Sequence, residues 1–163
     1  MNEDFLHYVW KYQNFTSHNL KTDDGLDIQV VKTGMHNHDA GPDFLNAHIK
    51  IGGTTCAGNV EIHINASDWY KHNHQNDRAY DNVILHVVFT ADKPVLDQNG
   101  NHIPVLSLNN LIDYQTYRYY KSWVKKATFI ACENLVYKVP DIIKTSAVHN
   151  AAVSRLQQKS EWC

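Results

Sequence analysis

Cysteine is scarce in this chain of 163 residues: Cys56, Cys132 and Cys163 stand at long, unrelated spacings. An odd number so placed argues against a disulfide framework and against a cysteine-rich zinc site. Glycine (7) and proline (4) are also few, which excludes a collagen-like or low-complexity chain. No apolar run exceeds a few residues, far short of the roughly 20 that span a bilayer, so no membrane partner is expected. The opening MNEDFLHYVW lacks the basic flank and small-residue cleavage site of a signal peptide, and reads as the true start of a cytoplasmic domain. Net charge is only −2, so there is no global basic field to attract nucleic acid. Such a partner needs a local basic patch.

What is present is an ordinary globular composition, 43% hydrophobic and 20% charged, of a length suited to one domain over 1–163. The unusual number is eleven histidines. Imidazole titrates near neutrality and binds metals, so the excess invites a catalytic reading, although most single histidines have no such task.

Periodicity places an amphipathic helix over 3–15, with Phe5, Leu6, Val9, Trp10 and Gln13 on one face and Glu3 and Asp4 in the first turn. Strands follow over 26–32, 43–51 and 55–64, the last two joined by a hairpin at Gly52-Gly53. Between the first two strands lies a polar loop, 33–41, holding His36, His38 and Asp39. Ser67 or Asp68 caps a short helix before the apolar run VILHVVFT, 83–90, which suits a buried central strand. A short strand over 102–108 and helices around Leu108–Tyr119 and after Pro140 complete a mixed α/β (α+β) order. The chain ends abruptly after a helix, which suggests the N-terminal portion of a longer protein. Terminal helices of this kind offer a homodimer surface.

Strand alternation puts Glu61 and His63 on one face and Val60, Ile62 and Ile64 on the other. Asp43 opens the preceding strand. A three-residue hairpin loop sets Asp43 opposite Glu61; a two-residue turn sets it opposite Ile62 and leaves Glu61 on the wrong face. Pairing of the two carboxylates therefore requires an odd loop or a compensating bulge. Two facing carboxylates repel unless a cation lies between them, and Mg²⁺ or Mn²⁺ is the natural occupant.

Gly41-Pro42-Asp43 followed by Glu61-Ile62-His63 resembles the PD-(D/E)XK phosphodiesterase superfamily, with His63 where lysine usually stands. The order helix, three strands, helix, strand resembles its restriction-endonuclease-like core. The resemblance implies a metal-dependent nuclease acting on DNA or RNA. Asp43, Glu61 and the backbone carbonyl of Ile62 would hold Mg or Mn, with Glu3 of the first helix as a further ligand. His63 would orient or deprotonate the attacking water. The longer strings DFLHYVWKYQNF, NHDAGPDFLNAHIKI, GNVEIHINASDWYKHNH and AYDNVILHVV resemble the bacterial domain of unknown function 2851 family, which implies no activity.

Other residues point elsewhere. His72, His74 and Asp77, with Asp81 and His86 nearby, and a second group of His36, His38 and Asp39, suggest a His/Asp transition-metal hydrolase. Against it, His72 and His74 are two apart, about 200° around a helix, and share a ligand sphere only on an extended segment. Parity puts His86 on a face with Ile84 and Val88, as a satisfied core histidine or a support for Glu61. Tyr80 leads into the central strand and is placed to approach a substrate. Arg118, Lys121, Lys125 and Lys126 lie among aromatics, as a nucleic-acid contact or simply as the solvated face of a helix. A domain that kept the fold but only binds nucleic acid or protein is the remaining alternative.

Overall fold

The computed structural model describes residues 1–125 and 136–160. It divides into two compact units, Met1–Arg118 and Tyr119–Cys163, which are taken separately. Lys126 lies outside the described residues, as do Cys132 and Cys163.

Helix α1 spans Glu3–Lys11 and buries Phe5, Leu6, Val9 and Trp10. The expected extension to residue 15 does not form. Tyr12 leaves helical geometry and Gln13 takes a left-handed φ of 50°, so Gln13 is off the apolar face. The Trp10 indole N–H then donates to the Thr33 carbonyl at 3.0 Å, fixing the helix to the chain that leads into the sheet.

The described strands are β1 (Leu20–Lys21), β2 (Asp27–Lys32), β3 (Met35–His36), β4 (Phe44–Ile51), β5 (Thr54–Asn65), β6 (Val83–Thr90) and β7 (Val105–Ser107). They form one mixed sheet in the order β1-β2-β4-β5-β6-β7, with the short β3 also paired to β4. The first part is antiparallel; β6 runs parallel to β5 and β7 parallel to β6. The outer edge of β7 is covered by Asp23, whose N–H donates to the Val105 carbonyl at 2.8 Å. Its carboxylate accepts the Val105 N–H at 3.1 Å. Capping an edge in this way removes a template for unwanted strand pairing.

The hairpin between β4 and β5 is a two-residue turn, with Ile51 opposite Thr54 and φ of 55° and 89° at Gly52 and Gly53. Only glycine adopts that pair of angles freely, hence the glycine pair. This is the turn that by itself would put Asp43 out of phase with Glu61. Further along, however, the register shifts: Ala47 pairs with Gly58 but Phe44 pairs with Val60, so Leu45 and Asn46 together oppose one residue. Asn46 has a left-handed φ of 56°, as one position of such a bulge allows, and its N–H donates to Asn59 Oδ1 at 3.3 Å. Continued by one step, the shifted register places Asp43 opposite Glu61. The compensating bulge is present.

Between β5 and β6 the chain forms α2 (Asp68–Lys71) and two short 3₁₀ turns, His74–Asn76 and Arg78–Tyr80. Trp69, 1% exposed, packs with Ala66, Val83, Val88, Val95, Ile103 and Val105 in a core cluster. The contact between β5 and β6 depends on Gly58. A Cβ there would stand 2.4 Å from Ile84 Cγ2 and 2.7 Å from the Asn82 carbonyl oxygen.

Helix α3 spans Tyr114–Lys125, beginning after Asp113, whose carboxylate caps the Gln115 N–H at 3.0 Å. It starts later than the apolar residues suggest, because Leu108 follows β7 and is fully buried while Leu111 and Ile112 lie in the intervening turn. Helix α4 spans Asp141–Ser160, directly after Pro140. No helix among the described residues is long and apolar enough to cross a membrane.

Candidate metal centre

The site lies on the strand pair β5–β6 under the segment that connects them. Glu61 and His63 alternate with Val60 and Ile62 along β5, yet both are buried, at 5% and 2% exposed. The parallel register sets His86 of β6 beside Glu61, and side chains in register share a face. His86, with no exposed surface, reaches His63: its Nε2 is 2.9 Å from His63 Nδ1. The other nitrogen of His63, Nε2, is 3.0 Å from His72 Nδ1 and 3.5 Å from Glu61 Oε1.

His72 and His74 both turn toward His63, against the expectation that their spacing would part them. The reason is local. Helix α2 stops at Lys71, and Asn73 takes a left-handed φ of 62° between the two histidines. Asparagine tolerates that conformation better than most residues, and the reversal brings both rings to one side. The His74 ring stacks on His63 at 5.2 Å and on Tyr80 at 3.8 Å, with Trp69 edge-on at 5.3 Å. Its Nε2 lies 3.3 Å from Glu61 Oε1, off the direction of a hydrogen bond, so this buried atom has no hydrogen-bond partner.

His63, His72 and His74 each offer a donor atom, and the three atoms lie within 4.8 Å of one another. This group could hold a metal ion. Four ligands at about 2.0–2.1 Å in a tetrahedron stand about 3.3–3.4 Å apart. Three of the six separations among His63, His72, His74 and Glu61 are of that size, His63–His72 at 3.0 Å, His63–Glu61 at 3.5 Å and His74–Glu61 at 3.3 Å, while the three histidine donors together lie within 4.8 Å. The electrostatics also suit an ion. Burial, with His86 and the other histidines adding to it, lowers His63 to about 2, so it stays neutral as a ligand must. Its approach to Glu61 is therefore not an ion pair. Burial and His74 lower His86 to about 3. Burial raises Glu61, with Asp43 adding to the rise and His74 opposing it.

Asp43 joins the site through backbone. Its N–H donates to Glu61 Oε2 at 3.1 Å, and its Oδ2 accepts the Ile62 N–H at 2.9 Å. The expected contribution of Ile62 is its carbonyl; in the structure it is the amide that meets Asp43. Asp43 Oδ2 is also 3.2 Å from Nε2 of His7, which no sequence signal singled out. His7 stands one helical turn from Glu3, and this i, i+4 spacing was the available clue. Burial alone would lower His7, but the Asp43 carboxylate outweighs it and holds the imidazole above its ordinary value. Glu3 is raised by burial, partly offset by His72, which places it in the field of the same cluster.

The remaining expected residues take other positions. Asp77 caps the second 3₁₀ turn, accepting the Ala79 N–H at 2.9 Å. Asp39 is exposed in its loop, where its N–H donates to Asn37 Oδ1 at 3.0 Å. Tyr80 is pushed up to about 12 by burial and by Glu61, so its hydroxyl stays protonated beside His74. Arg118 and Lys121 are exposed on α3.

A family model described as Protein of unknown function (DUF2851) matches residues 3–162. The chain belongs to this family. Comparison of this DUF2851 chain with curated proteins and with solved structures returns no match.

Proposed function

We propose that this DUF2851 domain is a metal-dependent hydrolase whose divalent transition metal is held by His63, His72, His74 and Glu61. The observation that carries the reading is the convergence of three imidazole donors within 4.8 Å, beside a buried carboxylate. His74 Nε2 is buried without a hydrogen-bond partner, 3.3 Å from Glu61 Oε1, and an ion between the two would satisfy both. Three nitrogens and one oxygen suit Zn²⁺, Mn²⁺ or Fe²⁺ better than Mg²⁺, which prefers oxygen ligands and keeps its waters. Such an ion supplies Lewis-acid polarisation and a water of lowered pKa. The chain's own residues supply the rest. His63 stays neutral because it is buried among histidines, and Glu61 is oriented by the Asp43 amide. His7 Nε2, 3.2 Å from Asp43 Oδ2, holds the carboxylate that in turn accepts the Ile62 N–H.

A second reading places Mg²⁺ or Mn²⁺ on Asp43 and Glu61, with the Ile62 carbonyl and Glu3, in a nuclease-like phosphodiesterase acting on DNA or RNA. It is favoured by the Asn46 bulge, which returns Asp43 to the register of Glu61. The order α1, three antiparallel strands β2, β4 and β5, α2, and then β6 parallel to β5 supports the same restriction-endonuclease-like core.

Calorimetric titration of Zn²⁺ and Mn²⁺ into chelator-treated protein separates the readings. Zn²⁺ binding that is lost in His74→Ala and Glu61→Ala but kept in Asp43→Ala supports the histidine centre. Mn²⁺ binding lost in Asp43→Ala and Glu61→Ala, with His74→Ala unaffected, favours the carboxylate pair. No binding of either ion leaves a domain that only binds other molecules. Hydrolysis of bis(p-nitrophenyl) phosphate and single-stranded DNA, set against p-nitrophenyl acetate, then distinguishes phosphodiester from carboxylic ester chemistry.

A further inference from the structure

We infer that His86 is a positioning residue that fixes the tautomer of His63, accepting its Nδ1 proton so that Nε2 is bare toward the ion. The inference rests on the histidine centre proposed above. An imidazole that ligates through Nε2 must carry its proton on Nδ1, and that N–H needs an acceptor. His63 is 2% exposed, so water is not at hand to serve. His86 Nε2 is 2.9 Å from His63 Nδ1, in register on the adjoining strand.

The rest of the His86 environment agrees with a role as acceptor. The residue has no exposed surface, and its ring lies 5.5 Å from Trp69 and edge-on to His63 at 5.1 Å. Accepting at Nε2 leaves its own proton on Nδ1, a buried atom with no hydrogen-bond partner. A fold that only needed to fill this space would do better with leucine or phenylalanine. An imidazole with one nitrogen orphaned and the other aimed at His63 is explained by the second contact. Metal-ligating histidines commonly donate the second N–H to a carboxylate or carbonyl; here a second imidazole takes that part, and it can accept at only one atom.

The test uses Zn²⁺ as probe, in competition with a chelating dye, on wild type, His86→Leu, His86→Gln and His86→Asn. A glutamine amide oxygen reaches roughly the position of Nε2, whereas that of asparagine stops near Nδ1. Loss of a partner of this kind typically weakens metal affinity about 10- to 100-fold. The expected result is that weakening in His86→Leu and His86→Asn, with affinity largely restored in His86→Gln, and with all variants folded by circular dichroism. Nitrogen-15 spectra of zinc-loaded wild type should show His63 protonated at Nδ1, with that proton shared with His86 Nε2. This readout does not depend on whether any variant folds. Wild type that takes up no Zn²⁺ removes the histidine centre and this inference together. Wild type that binds, with His86→Leu binding as tightly or His63 protonated at Nε2, overturns the role of His86 alone.

Discussion

Acidification from pH 7 to 5.5 should destabilise the metal-free protein through His63 and His86. Their folded values, about 2 and about 3, both lie below the ordinary 6.5. Between about pH 6.5 and 3 the unfolded chain therefore binds protons at these positions that the folded chain refuses, and stability falls with pH. At pH 5.5 an unfolded histidine holds about 0.9 proton, which makes the slope about 1.2 kcal/mol per pH unit for each. Integrated from pH 7, the two histidines together cost about 2–3 kcal/mol. For a chain of this size that corresponds to a melting temperature lower by roughly 5–10 °C. His7 and Glu61 are both shifted upward, bind protons more readily when folded, and work against the loss. The clean comparison is urea unfolding of wild type and His86→Leu at both pH values, in a chelator. The variant should lose about half of the histidine-derived slope, about 1 kcal/mol over the interval. Equal slopes, or His63 and His86 ring protons that titrate near pH 6.5 by NMR, would refute the reasoning.

Gly58→Ala should destabilise by about 1–3 kcal/mol, because the added Cβ meets the Asn82 carbonyl and Ile84 rather than open space; thermal unfolding reads this directly, and an unchanged midpoint would argue against the close β5–β6 contact. Asn46→Gly should leave both stability and metal uptake nearly unchanged, since glycine accepts the left-handed angle. Deletion of Asn46 leaves Leu45 alone opposite Asn59 and Asp43 still opposite Glu61, so the Asp43–Glu61 hydrogen bond should persist in a crystal structure of the folded variant; its loss would argue against the bulge as the device that sets this register.

The parts of the site that were legible in the sequence are those set by strand geometry. Alternation on β5 puts Glu61 beside His63, parity on β6 sets His86 apart from Val83, Leu85 and Val87, and counting across the hairpin defines what Asp43 requires; that His86 stands beside Glu61 follows only from the parallel register. The device that met the requirement was not legible, because a bulge at Asn46 leaves no mark beyond one asparagine among alternating residues. For His72 and His74 the sequence shows the grouping but not the geometry that permits it. A helical frame parts the two rings by about 200°, but four helical residues give way to a left-handed Asn73, and that one backbone angle brings the rings together. The onset of α3 was obscured by Leu108, Leu111 and Ile112, whose apolar spacing belongs to the end of β7 and a turn. The apolar stripe of α1 gives no sign of His7, which supplies Asp43 with its imidazole.

The cluster is a liability to the metal-free fold, and that bears on why it exists. His63, His74 and His86 are each at least nine-tenths buried, and His74 Nε2 and His86 Nδ1 have no hydrogen-bond partner. A buried polar atom left unsatisfied costs about 1–3 kcal/mol, and two of them consume a sizeable share of a net stability of about 5–15 kcal/mol. Substituting apolar side chains of similar size would remove that cost, so packing alone gives no reason for four histidines around one glutamate. An ion relieves part of it by occupying His74 Nε2 together with His63, His72 and Glu61. It does not relieve the orphan on His86, because the nitrogen turned to His63 is Nε2 and the orphan is Nδ1. The atom that this ion leaves unsatisfied is thus the counterpart of the hydrogen bond that sets His63, and the two stand or fall together.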